Sequence, residues 1–131
     1  MFQVLQPEGW VPAKGYANGI EARGRQIFVA GMIGWNGQCQ FESDDFVAQC
    51  KQALQNIVDT LACANAGPQH IVRMTWYVKD KKQYLARSRE LGQAYQEVMG
   101  RNYPVMALVQ VADLVEDRAL VEIEATAVVP D

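Results

Sequence analysis

The stretch Tyr103–Pro130, YPVMALVQVADLVEDRALVEIEATAVVP, decides the fold of this chain. On both sides of a polar turn at residues 116–118, neighbouring residues alternate between two faces. This period of two predicts two strands with a turn between them, a terminal strand pair. Two carboxylates, Glu122 and Glu124, share one face of the second strand, which is otherwise rich in β-branched residues. Such a face either meets water or lines a site, and much of the functional question depends on which.

The chain before this stretch predicts four further strands. They are expected at residues 2–5, at 16–22 and 26–33 around a turn at 23–25, and at 72–78. Gly31 lies inside the 26–33 strand, where a glycine often marks a bulge or a close approach of backbone or ligand.

Two helices are predicted between these strands. The first is expected to begin at the N-cap Ser43, to run to about Ala64 and to be closed by Gly67-Pro68. The second follows a basic turn at 80–82 and ends at Gly100; its expected buried stripe is Tyr84, Leu85, Ser88, Leu91, Tyr95 and Val98. The order β-β-β-α-β-α-β-β predicts an α+β fold, a mixed sheet with two helices packed on one face.

Length and composition indicate one domain, residues 1–131, of an ordinary globular protein. The net charge of −3 with scattered basic residues gives no electrostatic case for nucleic acid or an anionic membrane. We see neither a membrane-spanning run nor a signal peptide. The cysteines Cys39, Cys50 and Cys63 form no CxxC pair and are interpreted as free thiols of a reducing compartment, so we expect a cytoplasmic protein. With His70 as the single histidine, we expect no metal site.

Nearly the whole chain resembles the RidA (YjgF) family of imine/enamine deaminases. The matching segments are residues 12–19 with Tyr16, IFVAGMIGWNG at 27–37, QALQNIVDTLACANAG at 52–67, IVRMTWYVKD at 71–80 and LVEIEATAVV at 120–129. The resemblance implies a chorismate-mutase-like fold and a homotrimer with clefts between subunits. It implies no metal or organic cofactor. It also implies hydrolysis of reactive imines, with an arginine of a Pro-Ala-Arg-Ser segment gripping the substrate carboxylate and a glutamate of the last strand positioning or protonating water.

The chain departs from the family pattern at the residues nearest the expected chemistry. Methionine, Met106, replaces the arginine, while Ala30 and Leu108 stand where many members have serine and cysteine. Arg89 aligns with an asparagine near the family's cleft. The residues of the pattern that are retained are Tyr16, Gly31 and Glu122.

These residues give the predicted site. Glu122 is the catalytic candidate, because imine hydrolysis needs a proton on the nitrogen and a delivered water. The substrate-binding candidates are Tyr16, Gly31, Met106, Ala107 and Arg89. Methionine cannot pair with a carboxylate as arginine does, so either another cation replaces it or the ligand has no carboxylate there. Arg89 is the first candidate for that cation and Arg87 a lesser one. Each of these side chains also has a plain structural interpretation, in solvent, core or interface.

Two functions therefore stay open from the sequence. The first is a RidA-like imine/enamine hydrolase with an altered substrate pocket. The second is a non-catalytic trimer that binds a small metabolite in the same cleft. Retained Glu122 favours the first and the missing arginine favours the second. Ribonuclease or chaperone activity, which has been attributed to family members, finds no support in an acidic chain without a basic groove and stacking aromatics.

Overall fold

The computed structural model describes residues 2–131. Its elements, in chain order, are β1 (Phe2–Leu5), β2 (Gly19–Ala22), β3 (Arg25–Ile33), α1 (Phe46–Ala62), β4 (Ile71–Val78), α2 (Lys81–Ala86), α3 (Ser88–Met99), β5 (Val105–Gln110) and β6 (Val121–Val129). A short 3₁₀ turn, Pro68–His70, leads into β4. The expected α+β class with a mixed sheet is confirmed.

The main sheet has the strand order β3-β6-β4-β5. Strand β6 runs antiparallel to both of its neighbours, and β4 and β5 are parallel. The expectation of a terminal strand pair was therefore wrong, because β4 lies between β5 and β6. The helical crossover from β4 to β5 produces their parallel pairing, and the connection at 111–120 is much longer than a hairpin turn.

The two N-terminal strands form a separate sheet. Strand β2 pairs with β1, whereas β3 pairs with β6 in the main sheet. The turn at 23–25 thus connects two sheets and does not close a hairpin. Gly24 has a φ of +146°, and a Cβ there would lie 2.1 Å from the carbonyl oxygen of Val129, so this turn needs glycine.

One face of the main sheet forms the core with the helices. The buried side chains of β4 and β6 that point to this face are Ile71, Met74, Trp76, Val78, Val121, Ile123, Ala125 and Ala127. From Met74 to Val78 and from Val121 to Ala127 they alternate with half-buried or exposed residues, and an irregularity in the register between Ile71 and Arg73 sets Ile71 three positions before Met74. The opposite face of the sheet carries none of the helices of residues 2–131, and we call it the open face. Phe28 and Val109 are 72% and 45% exposed there.

Helix α1 follows the predicted stripe but begins later than expected. Its N-cap is Asp45, whose carboxylate accepts from the backbone N–H of Ala48 at 3.0 Å, while the Ser43 hydroxyl accepts from the N–H of Asp45. An ionised carboxylate at this position also suits the positive end of the helix dipole. The helix ends at Ala62 with Cys63 as its C-cap.

The second predicted helix is divided into α2 and α3. Arg87, at φ −116° and ψ 23°, interrupts it and forms ion pairs with Asp45 and Glu90. Leu85 is 64% exposed and Ser88 is exposed too, so the places of both residues in the buried stripe were wrong. Leu91 and Tyr95 are buried as expected. Among residues 2–131, no helix is both long and apolar enough to cross a membrane.

Candidate functional site

Gly31 and Glu122 meet on the open face of the sheet. The β3–β6 register shifts between Val29 and Met32, which places a bulge at Gly31. A Cβ on Gly31 would lie 2.2 Å from Oε2 of Glu122, so the carboxylate occupies the space that any other side chain would need. Glu122 itself is half-buried. The glycine therefore lies at a bulge, one of the two roles expected of it, and the group that approaches it is a side chain, not the backbone or ligand that was expected.

The second carboxylate of this strand is already bound within the chain. Glu124 accepts a hydrogen bond of 2.8 Å from the Tyr77 hydroxyl, and this bond raises the pKa of Tyr77. Glu122 has no such partner among the hydrogen bonds and ion pairs of residues 2–131. The two glutamates thus differ, and Glu122 is the one whose carboxylate remains available.

Met106 lies on the other side of the sheet. It pairs with Met74 in the parallel register of β4 and β5 and packs against the core. Together with Tyr16 it lines a cavity of about 360 Å³ between the edge of the sheet and the helices, here called the aromatic cavity. Tyr16 is held there by its neighbour Ala17, whose N–H donates to the Pro104 carbonyl at 3.1 Å beside β5.

The walls of this cavity are rich in aromatic rings, of which only Tyr16 was predicted as a binding residue. The aromatic residues that line it are Tyr16, Trp76, Tyr84, Tyr95 and Tyr103. Tyr95 and Tyr103 stack with ring centroids 5.4 Å apart and planes 9° from parallel. Burial raises the pKa of Tyr95, so its phenol stays neutral. Four of the five tyrosines of the sequence line this one cavity, and their spacing along the chain does not indicate that they come together.

The remaining predicted residues fall elsewhere. Ala107 is exposed and lines a second pocket, of about 470 Å³, with Tyr16, Met106 and Arg73. Arg73 was not predicted, although the alternation of β4 places it opposite the buried Met74. Arg89 is exposed on α3 and is not among the residues that line either pocket; Ser88, one position earlier, lines the aromatic cavity.

The single chain therefore holds two half-sites. Gly31 and Glu122 lie together on the open face, and Tyr16 and Met106 lie together at the aromatic cavity on the helix side. The two half-sites lie on opposite sides of the sheet, although Tyr16 and Met106 also line the second pocket together with Ala107 of the open face. The first half-site offers the Glu122 carboxylate beside a glycine that has no side chain. A carboxylate positioned in this way suits proton transfer. The second offers an apolar, aromatic enclosure of the kind that binds small molecules.

Comparison with known proteins identifies relatives over nearly the whole chain. The family model described as Endoribonuclease L-PSP matches residues 8–129. A RutC family protein of Haemophilus influenzae is 32% identical over 129 residues, covering 98% of both chains.

Solved structures agree with these matches. A Yersinia pestis member of the conserved Rid protein family superposes with a TM-score of 0.85 at 29% identity, covering 98% of both chains. The YjgF gene product of Escherichia coli superposes with a TM-score of 0.70 at 30% identity, covering 86% of this chain and 87% of that one.

Proposed function

The chain belongs to the Endoribonuclease L-PSP family, which includes the RutC and YjgF proteins, and from this membership we propose that it hydrolyses reactive imines or enamines. The substrate pocket is altered at Met106, where the imine deaminases of the family carry arginine. The partner is a small molecule, and no cofactor is required. The protein acts in the cytoplasm as a homotrimer.

One observation carries this proposal, the position of the Glu122 carboxylate over Gly31 without a hydrogen-bond or ion-pair partner among residues 2–131. In the reaction, a water oxygen forms a bond to the imine carbon, the carbon–nitrogen bond breaks, and a ketone or aldehyde and ammonia result. Glu122 accepts a proton from the water and delivers one to the nitrogen. Such proton transfer by a positioned side chain typically contributes about 10²–10⁴-fold in rate.

The two half-sites support the trimer with clefts between subunits. Glu122 of one subunit and the Met106 cavity of its neighbour form one cleft if the open faces meet partner subunits. Exposed Phe28 and Val109 on that face favour its burial in an assembly. Sedimentation equilibrium tests this assembly. A mass of three chains is expected, and a monomer at micromolar concentration contradicts it.

A second function is favoured by Met106 alone. Without the arginine, a free 2-imino acid loses its carboxylate partner, and a loss of this kind costs about 2–5 kcal/mol. The same trimer would then bind a small metabolite without chemistry. Ala107 and Arg89 remain proposed ligand contacts under either function, although Arg89 is exposed away from the aromatic cavity.

Ammonia release from imines generated in situ separates the two functions. The imines carry either a free carboxylate or its amide. We expect the native protein to accelerate hydrolysis of the amides and Glu122→Gln to reduce this by about 10²-fold or more. Glu124→Gln is the matched control, because Glu124 is bound to Tyr77, and it should keep its activity. Met106→Arg should gain roughly 30-fold or more on the carboxylate imines, the equivalent of about 2 kcal/mol. No acceleration by any variant supports the metabolite-binding trimer instead.

A further inference from the structure

The aromatic cavity is lined mainly by aromatic and apolar side chains. Its walls combine stacked Tyr95 and Tyr103 with the apolar side chains of Met106 and Leu108. Gln96 donates to the Tyr103 hydroxyl at 3.0 Å, which fixes that ring. Flat rings held in place attract a flat aromatic ligand beyond what its area alone provides. Aromatic ligands should therefore bind better here than aliphatic ligands of the same size.

The charged and polar groups of the cavity favour an anion. Lys14 is the one charged residue among the lining residues, it is exposed, and no carboxylate lines the cavity with it. Trp76 also lines the cavity, and its indole Nε1–H is buried without a hydrogen-bond acceptor among residues 2–131. Because this N–H is buried, it is not counted as a contact for the ligand, and Lys14 alone carries the preference for an anion. A cation would find no counter-charge here.

We infer that the substrate is an aromatic acid, an imine or enamine whose ring lies against the tyrosine wall and whose anionic group pairs with Lys14. This anionic group is not the carboxylate beside the imine carbon that an arginine at position 106 would bind, so a substrate that pairs with Lys14 is compatible with Met106. This inference rests on the proposed function, because it names the substrate class of that same cleft.

Binding is tested with stable probes by NMR of the ¹⁵N-labelled native protein. The three probes are 3-phenylpropanoate, its neutral amide and 3-cyclohexylpropanoate. The sequence has three tryptophans, whose indole signals are assigned by single replacements with phenylalanine. The Trp76 signal should shift saturably with 3-phenylpropanoate. Trp10 and Trp35 line no part of the aromatic cavity, so their signals are internal controls.

The affinities should follow ring and charge. We expect 3-phenylpropanoate to bind about two- to fivefold more tightly than its amide, as an exposed ion pair allows. It should also bind about threefold or more tightly than the cyclohexyl acid. Lys14→Gln should abolish the preference for the acid over the amide, and so should high salt. Lys82→Gln on α2 is the matched control and should retain it, because Lys82 is exposed and outside the cavity lining.

Three results would overturn the inference. These are no saturable shift of Trp76, equal binding of the cyclohexyl acid, or loss of the anion preference in Arg73→Gln but not in Lys14→Gln. The last result would move the anion to the neighbouring pocket that Arg73 lines. Failure here remains distinct from failure of the proposed reaction. Probe binding without Glu122-dependent hydrolysis supports the ligand class and contradicts the hydrolase, and hydrolysis without probe binding does the reverse.

Discussion

Gln49 is a buried amide that joins two parts of the chain far apart in sequence. It lies in α1 and is 1% exposed. Its Nε2 donates to the carbonyls of Ser43 and Arg118, both at 3.0 Å, and its Oε1 accepts from the N–H of Leu120 at 2.9 Å. These bonds fix the segment that enters β6 two residues before Glu122. We therefore expect Gln49 to control both stability and the approach to the site.

The substitution Gln49→Met removes these bonds while keeping the side-chain length. Each hydrogen bond contributes about 1 kcal/mol net, so three give about 3 kcal/mol. The N–H of half-buried Leu120 would also lose its acceptor, which adds up to about 2 kcal/mol. Methionine fills the space, so the cavity contribution is small. We expect the free energy of unfolding to fall by about 3–5 kcal/mol, a large part of the 5–15 kcal/mol of a typical domain.

Urea denaturation at one fixed protein concentration measures this loss. The concentration must be fixed because assembly would add to the apparent stability. For an m value near 2 kcal/mol per molar, the midpoint should fall by about 1.5 M or more. Gln55→Met on the exposed side of α1 is the matched control, since Gln55 makes one exposed bond to Asp59. It should change stability by less than about 0.5 kcal/mol. A Gln49→Met variant within 1 kcal/mol of the native protein would refute the reasoning.

Two further predictions concern the site and acid stability. Gly31→Ala should lower the rate of imine hydrolysis by roughly 10²-fold with little change in the urea midpoint. The new Cβ would lie 2.2 Å from Oε2 of Glu122 and should therefore displace this carboxylate by about 1 Å. Unchanged ammonia release by the variant would contradict the prediction. The hydrogen bond from Arg87, followed by that from the Ala48 N–H, lowers the pKa of Asp45. The stabilisation is thus fully present above the unfolded-state pKa, near 4, and is lost as the pH falls through the lower native value. Thermal melts between pH 6 and 2 should show a steeper acid loss for the native protein than for Asp45→Asn, and parallel curves would contradict it.

Local periodicity predicted the faces of the strands but not the order of the sheet. The alternation along 121–129 correctly separated buried Val121 and Ile123 from half-buried Glu122. The insertion of β4 between β5 and β6 could not be read in the same way, because alternation reports which side a residue faces and not which strand lies beside it. The broken second helix was missed for a related reason. Arg87 is bound to Asp45 from another helix, a contact that no local pattern contains.

Sequence pattern indicated the local geometry at Gly31, while its role in a site stays a prediction. A glycine within a strand indicated a bulge, and the structure places that bulge against Glu122. The aromatic cavity was not predicted, because its walls come from two loops, two strands and two helices, and each ring separately resembles core packing. Alignment with the family selected Arg89, yet the neighbouring Ser88 lines the cavity. A shift of one residue along a helix rotates a side chain by about 100°, so an alignment that is wrong by one residue selects a side chain on another side of the helix.

The two half-sites differ in how deeply they are embedded, and this has an evolutionary consequence. Glu122 lies in a central strand between Val121 and Ile123, both fully buried, so few changes around it leave a folded protein. Met106 lies in the edge strand β5, and Tyr16 lies in a loop attached to that strand beside Ala17. Substitutions at an edge and in a loop cost little stability. Under the proposed function, a lineage can therefore exchange one substrate for another by changes at the edge strand and the loop while the Glu122 carboxylate stays unchanged.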